Sequence, residues 1–170
     1  MTSFKWSPDG DHIALLSSSD DTSTYDHLSL VDPNYGIVRM LAICVLIAFW
    51  WAPNSQYIVI VDRHPDLVEA MRWTSIDLAT GRFRALIDLI PSSEFGFLQT
   101  YFSQYAQSHE LWSPDSSSLV MAGVKLDDAT LKSVLANGFV DLVSQIWIVD
   151  ARDGAAYAVA KGSLAFWSPQ

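Results

Sequence analysis

An all-β fold assembled from a repeated four-stranded antiparallel unit is what this sequence predicts, and three observations carry it. One phrase is written four times: Trp6-Ser7-Pro8-Asp9-Gly10, Trp51-Ala52-Pro53-Asn54-Ser55, Trp112-Ser113-Pro114-Asp115-Ser116 and Trp167-Ser168-Pro169. A second phrase, an apolar run closed by Asp with Gly four residues later, falls after each of the first three copies. Half of the 170 residues are hydrophobic and seven are Trp, enough large flat side chains to fill the space between packed sheets. The copies stand 45, 61 and 55 residues apart (51−6, 112−51, 167−112). That period is the length of four short strands, with insertions in the second and third copies.

Each element follows in order. An aromatic strand end runs into Ser-Pro-Asp-Gly, where Pro presets φ at the second turn position and Asp and Gly supply local hydrogen bonding and a permissive backbone. The chain reverses there. The residues after it are strand-like each time: His12-Ile13-Ala14-Leu15-Leu16, Tyr57-Ile58-Val59-Ile60-Val61 and Leu119-Val120-Met121-Ala122. The third strands are Leu28-Ser29-Leu30-Val31-Asp32, Trp73-Thr74-Ser75-Ile76-Asp77 and Ile146-Trp147-Ile148-Val149-Asp150. Their closing Asp and the following Gly36, Gly81 and Gly154 predict tight turns into fourth strands over 37–42, 82–87 and 155–160. The apolar run from Met40 to Trp51 is too short for a spanning helix, which needs about 20 residues, and Arg39 and Pro53 bracket it. It reads as the fourth strand of one unit, a short connection, and the first strand of the next.

These phrases resemble the TolB-like (WD-type) β-propeller repeats, a family also seen beside the peptidase domains of tricorn and prolyl oligopeptidase relatives. Trp-Ser-Pro-Asp-Gly, two residues, Ile13-Ala14, and an apolar strand ending in Asp with a turn Gly carry the likeness over nearly the whole chain. Asn54, Ser55 and Ser116 stand where the family has Asp or Gly. The resemblance implies blades around a central channel: three four-stranded antiparallel blades plus the start of a fourth. Blade 1 is expected over about 3–42, blade 2 over 45–90, an insertion over 91–106, blade 3 over 107–161 and the next blade from 163, all within one propeller-type domain. Trp6, Pro8, Asp9, Trp51, Pro53, Trp112, Pro114, Asp115, Trp167 and Pro169 are the structural repeat motif. No single activity is implied, because such propellers serve as binding platforms, peptidase gates and assembly scaffolds.

Charge narrows the partners. A net charge of −9 with ten scattered Lys and Arg argues against nucleic acid, which needs clustered cations to neutralise phosphates. The start of the chain carries no charged segment followed by an apolar one, so the sequence as written places the chain in the cytoplasm, and in the periplasm or outside the cell if it is a fragment of a longer protein. Cys44, the single cysteine, has no internal partner for a disulfide and sits in an apolar run, which points to a buried, inert thiol.

Function is expected where insertions break the period, because loops on a rigid scaffold carry most binding chemistry. The first insertion runs from Pro91 to Tyr105 and is strongly aromatic. Ser92 or Ser93 can cap a short helix with Phe95, Leu98 and Phe102 at helical spacing. Tyr101, Gln104, Tyr105 and His109 are the candidate binding residues, weighed against a satellite core under the blade. The second insertion predicts a helix over about 127–136, capped by Asp127 or Asp128, striped by Leu131, Val134 and Leu135, and stopped by Asn137-Gly138.

A search for catalytic patterns is nearly empty. Gly162-Ser163-Leu164-Ala165 lacks the second glycine of a nucleophile elbow, and no glycine-rich phosphate loop occurs. His12, His27, His64 and His109 lie far apart without zinc-motif company, and the acidic pairs lack a calcium-loop frame. Neither a catalytic residue, a metal site nor a cofactor is assigned. Two function classes follow. The first is a non-enzymatic scaffold binding a protein, peptide or small ligand at a loop face. The second is an accessory or gating propeller segment of a peptidase or hydrolase whose catalytic domain lies outside this chain. Apolar strands at both ends of the repeat add the expectation of self-association or of further blades.

Overall fold

The protein is described from a computed structural model, which covers residues 2–19, 25–101 and 109–168. Ten strands follow one another as antiparallel neighbours: β1 (Thr2–Trp6), β2 (Ile13–Ser17), β3 (Tyr25–Asp32), β4 (Ile37–Trp51), β5 (Tyr57–Arg63), β6 (Met71–Asp77), β7 (Phe83–Pro91), β8 (Ser118–Lys125), β9 (Gln145–Asp150) and β10 (Ala156–Lys161). Among the described residues two helices interrupt them, α1 (Ser93–Thr100) and α2 (Asp128–Asn137). No helix is long and apolar enough to cross a membrane among the described residues; the run 40–51 lies in β4.

The recurring turns form by side-chain hydrogen bonding. Ser7 Oγ donates to Asp9 Oδ1 (2.5 Å) and accepts from the His12 N–H (2.9 Å). Ser113 Oγ repeats this with Asp115 Oδ1 (2.6 Å) and the Ser118 N–H (2.9 Å). The Asp closing each third strand accepts from the N–H two residues on: Asn34 to Asp32 (2.9 Å), Ala79 to Asp77 (2.9 Å) and Arg152 to Asp150 (2.7 Å). The backbone then turns through positive φ at Gly36, Gly81 and Gly154, the conformation glycine adopts without a Cβ clash.

The connection expected inside the run 37–51 is made without a separate loop. β4 is one strand that pairs with β3 from Ile37 to Leu46 and with β5 from Leu46 to Trp51. Register shifts along both pairings fold it back from one unit into the next, as β-bulges bend a strand, so that Ile37 near its start and Ser55 just past its end line one cleft. β7 behaves alike: Met71 to Ile76 of β6 pair with it up to Leu89, and Leu89 to Pro91 then pair with Lys125 to Gly123 of β8. Sharing β4 and β7 between units is why ten strands occur where three separate sheets would need a dozen.

The first insertion is spliced into an inner strand. After Pro91 the Ser92 N–H still donates to the Ala122 carbonyl (3.2 Å), then the chain departs through α1. It returns at Leu111 and Trp112, where the Val120 N–H donates to the Leu111 carbonyl (2.9 Å) and Trp112 bridges Leu119. The ladder is therefore completed by two separated pieces of chain. Ser92 is the N-cap, its Oγ accepting from the Phe95 N–H (3.1 Å). In α2, Asp127 caps through the Thr130 N–H (2.8 Å) and Gly138 terminates at φ 75°. Its buried stripe is narrower than the sequence suggests: Val134 is buried and Leu131 packs beside it, but Leu135 is exposed.

Neighbouring units are locked by a repeated pair of contacts. Trp51 Nε1 donates to the Lys5 carbonyl (3.1 Å), and Trp112 Nε1 donates to the Trp50 carbonyl (3.4 Å). Lys5 and Trp50 each precede the repeat Trp of the previous unit. At the turns, the Asp9 N–H donates to Ser55 Oγ (3.0 Å) and the Asn54 N–H to Ser116 Oγ (3.0 Å). Ser55 and Ser116 adopt φ of 58° and 61° where the first copy has Gly10, so these departures from the family pattern supply the hydroxyl that ties one turn to the next. The four repeat tryptophans are not equivalent in burial. Trp51 and Trp112 are buried, whereas Trp6 is 47% exposed on β1. Trp167 enters through its backbone, whose N–H donates to the Glu110 carbonyl (3.0 Å), and its indole N–H has no partner among the described residues.

Candidate functional site

Antiparallel order divides the loops between two ends of the fold. The Trp-Ser-Pro turns and the Asp-to-Gly turns share one end; the loop after β5, α2, and the insertion carrying α1 share the other. Of the candidate residues, Tyr101 closes α1 at that second end. Phe95 points inward, fully buried, and its ring stacks on Trp73 at 5.7 Å, which stacks on Trp50 at 5.8 Å. This aromatic column is a satellite extension of the core. It anchors α1 and leaves the outer side of the helix to solvent.

On that outer side Phe97 is 52% exposed and packs against Tyr101 at a centroid distance of 4.5 Å. Ser93, Glu94, Phe97, Leu98 and Leu164 line an open, mainly apolar groove of about 440 Å³. The Ser92 hydroxyl donates to the Ser163 carbonyl, tying the base of the helix to the segment that bears Leu164. Of the residues singled out from sequence, Tyr101 is at the C-cap of α1 and exposed, and His109 sits edge-on to Phe166 at 4.4 Å. Tyr101 and His109 thus rest on different partners. Gln104 and Tyr105 lie outside the described residues, as do Phe102 and Pro169.

Gln99 was not singled out by its position in the sequence. It is 1% exposed, and neither its Oε1 nor its Nε2 has a hydrogen-bond partner among the described residues. A buried carboxamide without partners costs free energy of about 1–3 kcal/mol. Its helical spacing four residues after Phe95 was a signal that it faces the core.

A charged cluster at the same end also escaped sequence reasoning. Arg72 grips Asp88 with a fork, Nε to Oδ1 at 3.0 Å and Nη2 to Oδ2 at 3.1 Å, and His64 Nε2 lies 3.3 Å from Asp88 Oδ2. His64 Nδ1 accepts from the Asp66 N–H (3.2 Å), which leaves the ring proton on Nε2, directed at Asp88. Burial pushes the Asp62 carboxyl upward, against the pull of Arg72. The Cys44 thiol is pushed up to about 11, by burial first and by Asp62 second, so it stays protonated and unreactive at neutral pH. Asp88, engaged by both Arg72 and His64, ties β6 and β7 to the loop after β5. No group of three potential metal ligands converges among the described residues.

No family model matches the chain, and no curated protein matches it in sequence. Solved structures do. TolB from Acinetobacter baumannii is similar with a TM-score of 0.53 at 15% identity, over 96% of this chain and 33% of that one. The β-propeller domain of the Trilobed protease from Pyrococcus furiosus matches with a TM-score of 0.59 at 12% identity, over 94% of this chain and 43% of that one. An oligogalacturonate lyase from Vibrio parahaemolyticus matches with a TM-score of 0.54 at 12% identity, over 91% and 35%. The fold is therefore that of a TolB-like β-propeller, nearly all β. This chain spans a third to under a half of the length of these neighbours.

Proposed function

We propose that this chain is a non-catalytic propeller scaffold that binds a protein or peptide at the face carrying α1. The observation that carries the reading is the α1 splice. An inner strand is interrupted to present Phe97 and Tyr101 beside the groove lined by Leu98 and Leu164, while Phe95 fixes the helix from beneath. Exposed aromatic side chains beside an apolar groove on a rigid element are what a peptide-binding surface offers. The exposed Phe4 and Trp6 of β1 and Tyr157 and Val159 of β10 give further surface for protein, either a second copy or other blades. An accessory role beside a peptidase domain is the second reading, resting on the likeness to the propeller domain of a protease.

Peptide selection tests the proposal. A displayed random-peptide library is panned on the wild-type chain and counter-selected on F97S/Y101S, both of which retain the core column. Peptides that bind the wild type and lose at least about tenfold in affinity on the variant support the α1 face. Peptides that bind both equally, or no enrichment, overturn it.

A further inference from the structure

We propose that the cleft between the second and third units, at the turn end opposite α1, binds a small doubly charged oxyanion. Ten Lys and Arg serve a chain of net charge −9, yet Arg82, Arg84 and Arg152 all line this one cleft of about 250 Å³, together with Tyr57 and the buried Ser75. Asp77 is the one acidic residue on its wall, and its Oδ1 already accepts from the Ala79 and Thr80 N–H groups. Arg152 is held at the rim by Asp150, Nη2 to Oδ2 at 3.0 Å. Neither the Arg82 nor the Arg84 guanidinium donates a hydrogen bond to a described residue, and Arg82 acts on Asp77 only through its charge, which helps to lower that carboxyl.

Their geometry suits an anion. Arg82 and Arg84 are two residues apart on an extended chain, so both point to the same side, with Cα atoms about 7 Å apart. Arg84 lies opposite Ser75 in the β6–β7 ladder, which brings a hydroxyl donor beside its fork. Planar guanidinium groups pair in bidentate fashion with phosphate and carboxylate oxygens.

The molecule contains its own control. The corresponding cleft between the first and second units is lined by Asp9, Asp32, Asp77 and Arg39. Arg39 follows Gly36 by three residues as Arg84 follows Gly81, and its Nη2 donates to the Leu78 carbonyl of the next unit (2.9 Å). The structurally equivalent acceptor for Arg84 is the Ala151 carbonyl, and that bond is not made. Ile37 of the first unit is replaced by Arg82 in the second. The first cleft, of about 510 Å³, thus has its arginine engaged and acidic walls, whereas the second keeps two cations available; packing of the repeat requires neither difference.

The test is a titration of the ¹⁵N-labelled chain with inorganic phosphate and, separately, with succinate, against sodium chloride at matched ionic strength. Saturable shifts at the amides of Ser75, Arg84 and Ser116 are expected, and the tighter of the two anions tells phosphate from carboxylate recognition. R82Q/R84Q should weaken binding by at least about tenfold with an unchanged circular dichroism spectrum, while R39Q leaves it within about twofold. If the double variant does not fold, R84Q alone gives the same readout. Shifts that merely follow ionic strength, or affinity within about twofold of wild type in R84Q and R82Q/R84Q, would overturn the proposal.

Discussion

Replacing Ser116 separates two opposing effects that meet at one residue. Its hydroxyl accepts the Asn54 N–H at 3.0 Å across the junction of two units, and Ser116 itself is buried. A neutral hydrogen bond of this kind contributes about 1 kcal/mol. The backbone at φ 61° meanwhile costs a non-glycine residue about 1 kcal/mol. S116A removes the bond and keeps the strain, so it should destabilise by about 0.5–1.5 kcal/mol. S116G removes both, so it should lie within about 0.5 kcal/mol of wild type. Urea unfolding midpoints read the difference, and a scan should show S116A melting about 2–4 °C lower. S55A, which removes the acceptor of the Asp9 N–H, should repeat the loss. If S116A matches wild type, or if S116G is as unstable as S116A, then the turn-to-turn bond or the backbone strain has been misassigned.

Two further expectations use the turns. Gly154→Ala places a Cβ 2.8 Å from the Leu86 carbonyl oxygen at φ +77°, whereas Gly36→Ala at φ +65° meets nothing within 4 Å; the first should cost about 2–3 kcal/mol and the second about 1 kcal/mol, as read from denaturant midpoints. The Asp115 carboxyl is lowered from 3.8 to about 2, chiefly by the Ser113 hydroxyl and then by the Ser117 N–H. A depressed carboxylate stabilises the fold above its unfolded value and loses that contribution as pH falls from about 4 toward 2. The gap in stability between wild type and D115N should therefore be full at pH 6 and narrow across that acid window; a gap independent of pH would refute the assignment.

Much of the fold was legible because its turns are written in side chains that act locally. Asp32, Asp77 and Asp150 each accept the N–H two residues on, and Ser92 and Asp127 cap the helices they precede. Such contacts depend on sequence neighbours alone. The continuity of β4 was harder to see: nothing between Met40 and Trp51 breaks a strand, but the bulges that carry it from β3 to β5 arise from pairing register, which involves residues far apart in the chain. The same holds for the Arg72–Asp88–His64 cluster, since Arg72 meets Asp88 only through the β6–β7 ladder. At the candidate site, the aromatic richness of 91–105 was readable. Which rings anchor and which stay exposed was set by the column of Trp50, Trp73 and Phe95, assembled from three elements.

Internal repetition supplies a way to sort residues by what they do. Where the same position carries the same chemistry in each unit, as with the Asp of the third-strand turn and the Gly four residues on, the shared backbone geometry accounts for it. Trp51 and Trp112 belong with these, because each donates across a unit junction to an equivalent carbonyl. Positions that differ between units need a separate cause. Ser55 and Ser116 differ from Gly10, and the cause is the junction bond each accepts. Arg82 differs from Ile37, and Arg84 from Arg39 in its engagement, and neither guanidinium donates a hydrogen bond to a described residue. A surface arginine carries side-chain entropy of about 2 kcal/mol, which is kept while it stays mobile and is lost only when a partner orders it. In the first cleft that partner is the Leu78 carbonyl; in the second no described residue accepts a hydrogen bond from either guanidinium, which is why Arg82 and Arg84 are the residues at which ligand chemistry should first be sought.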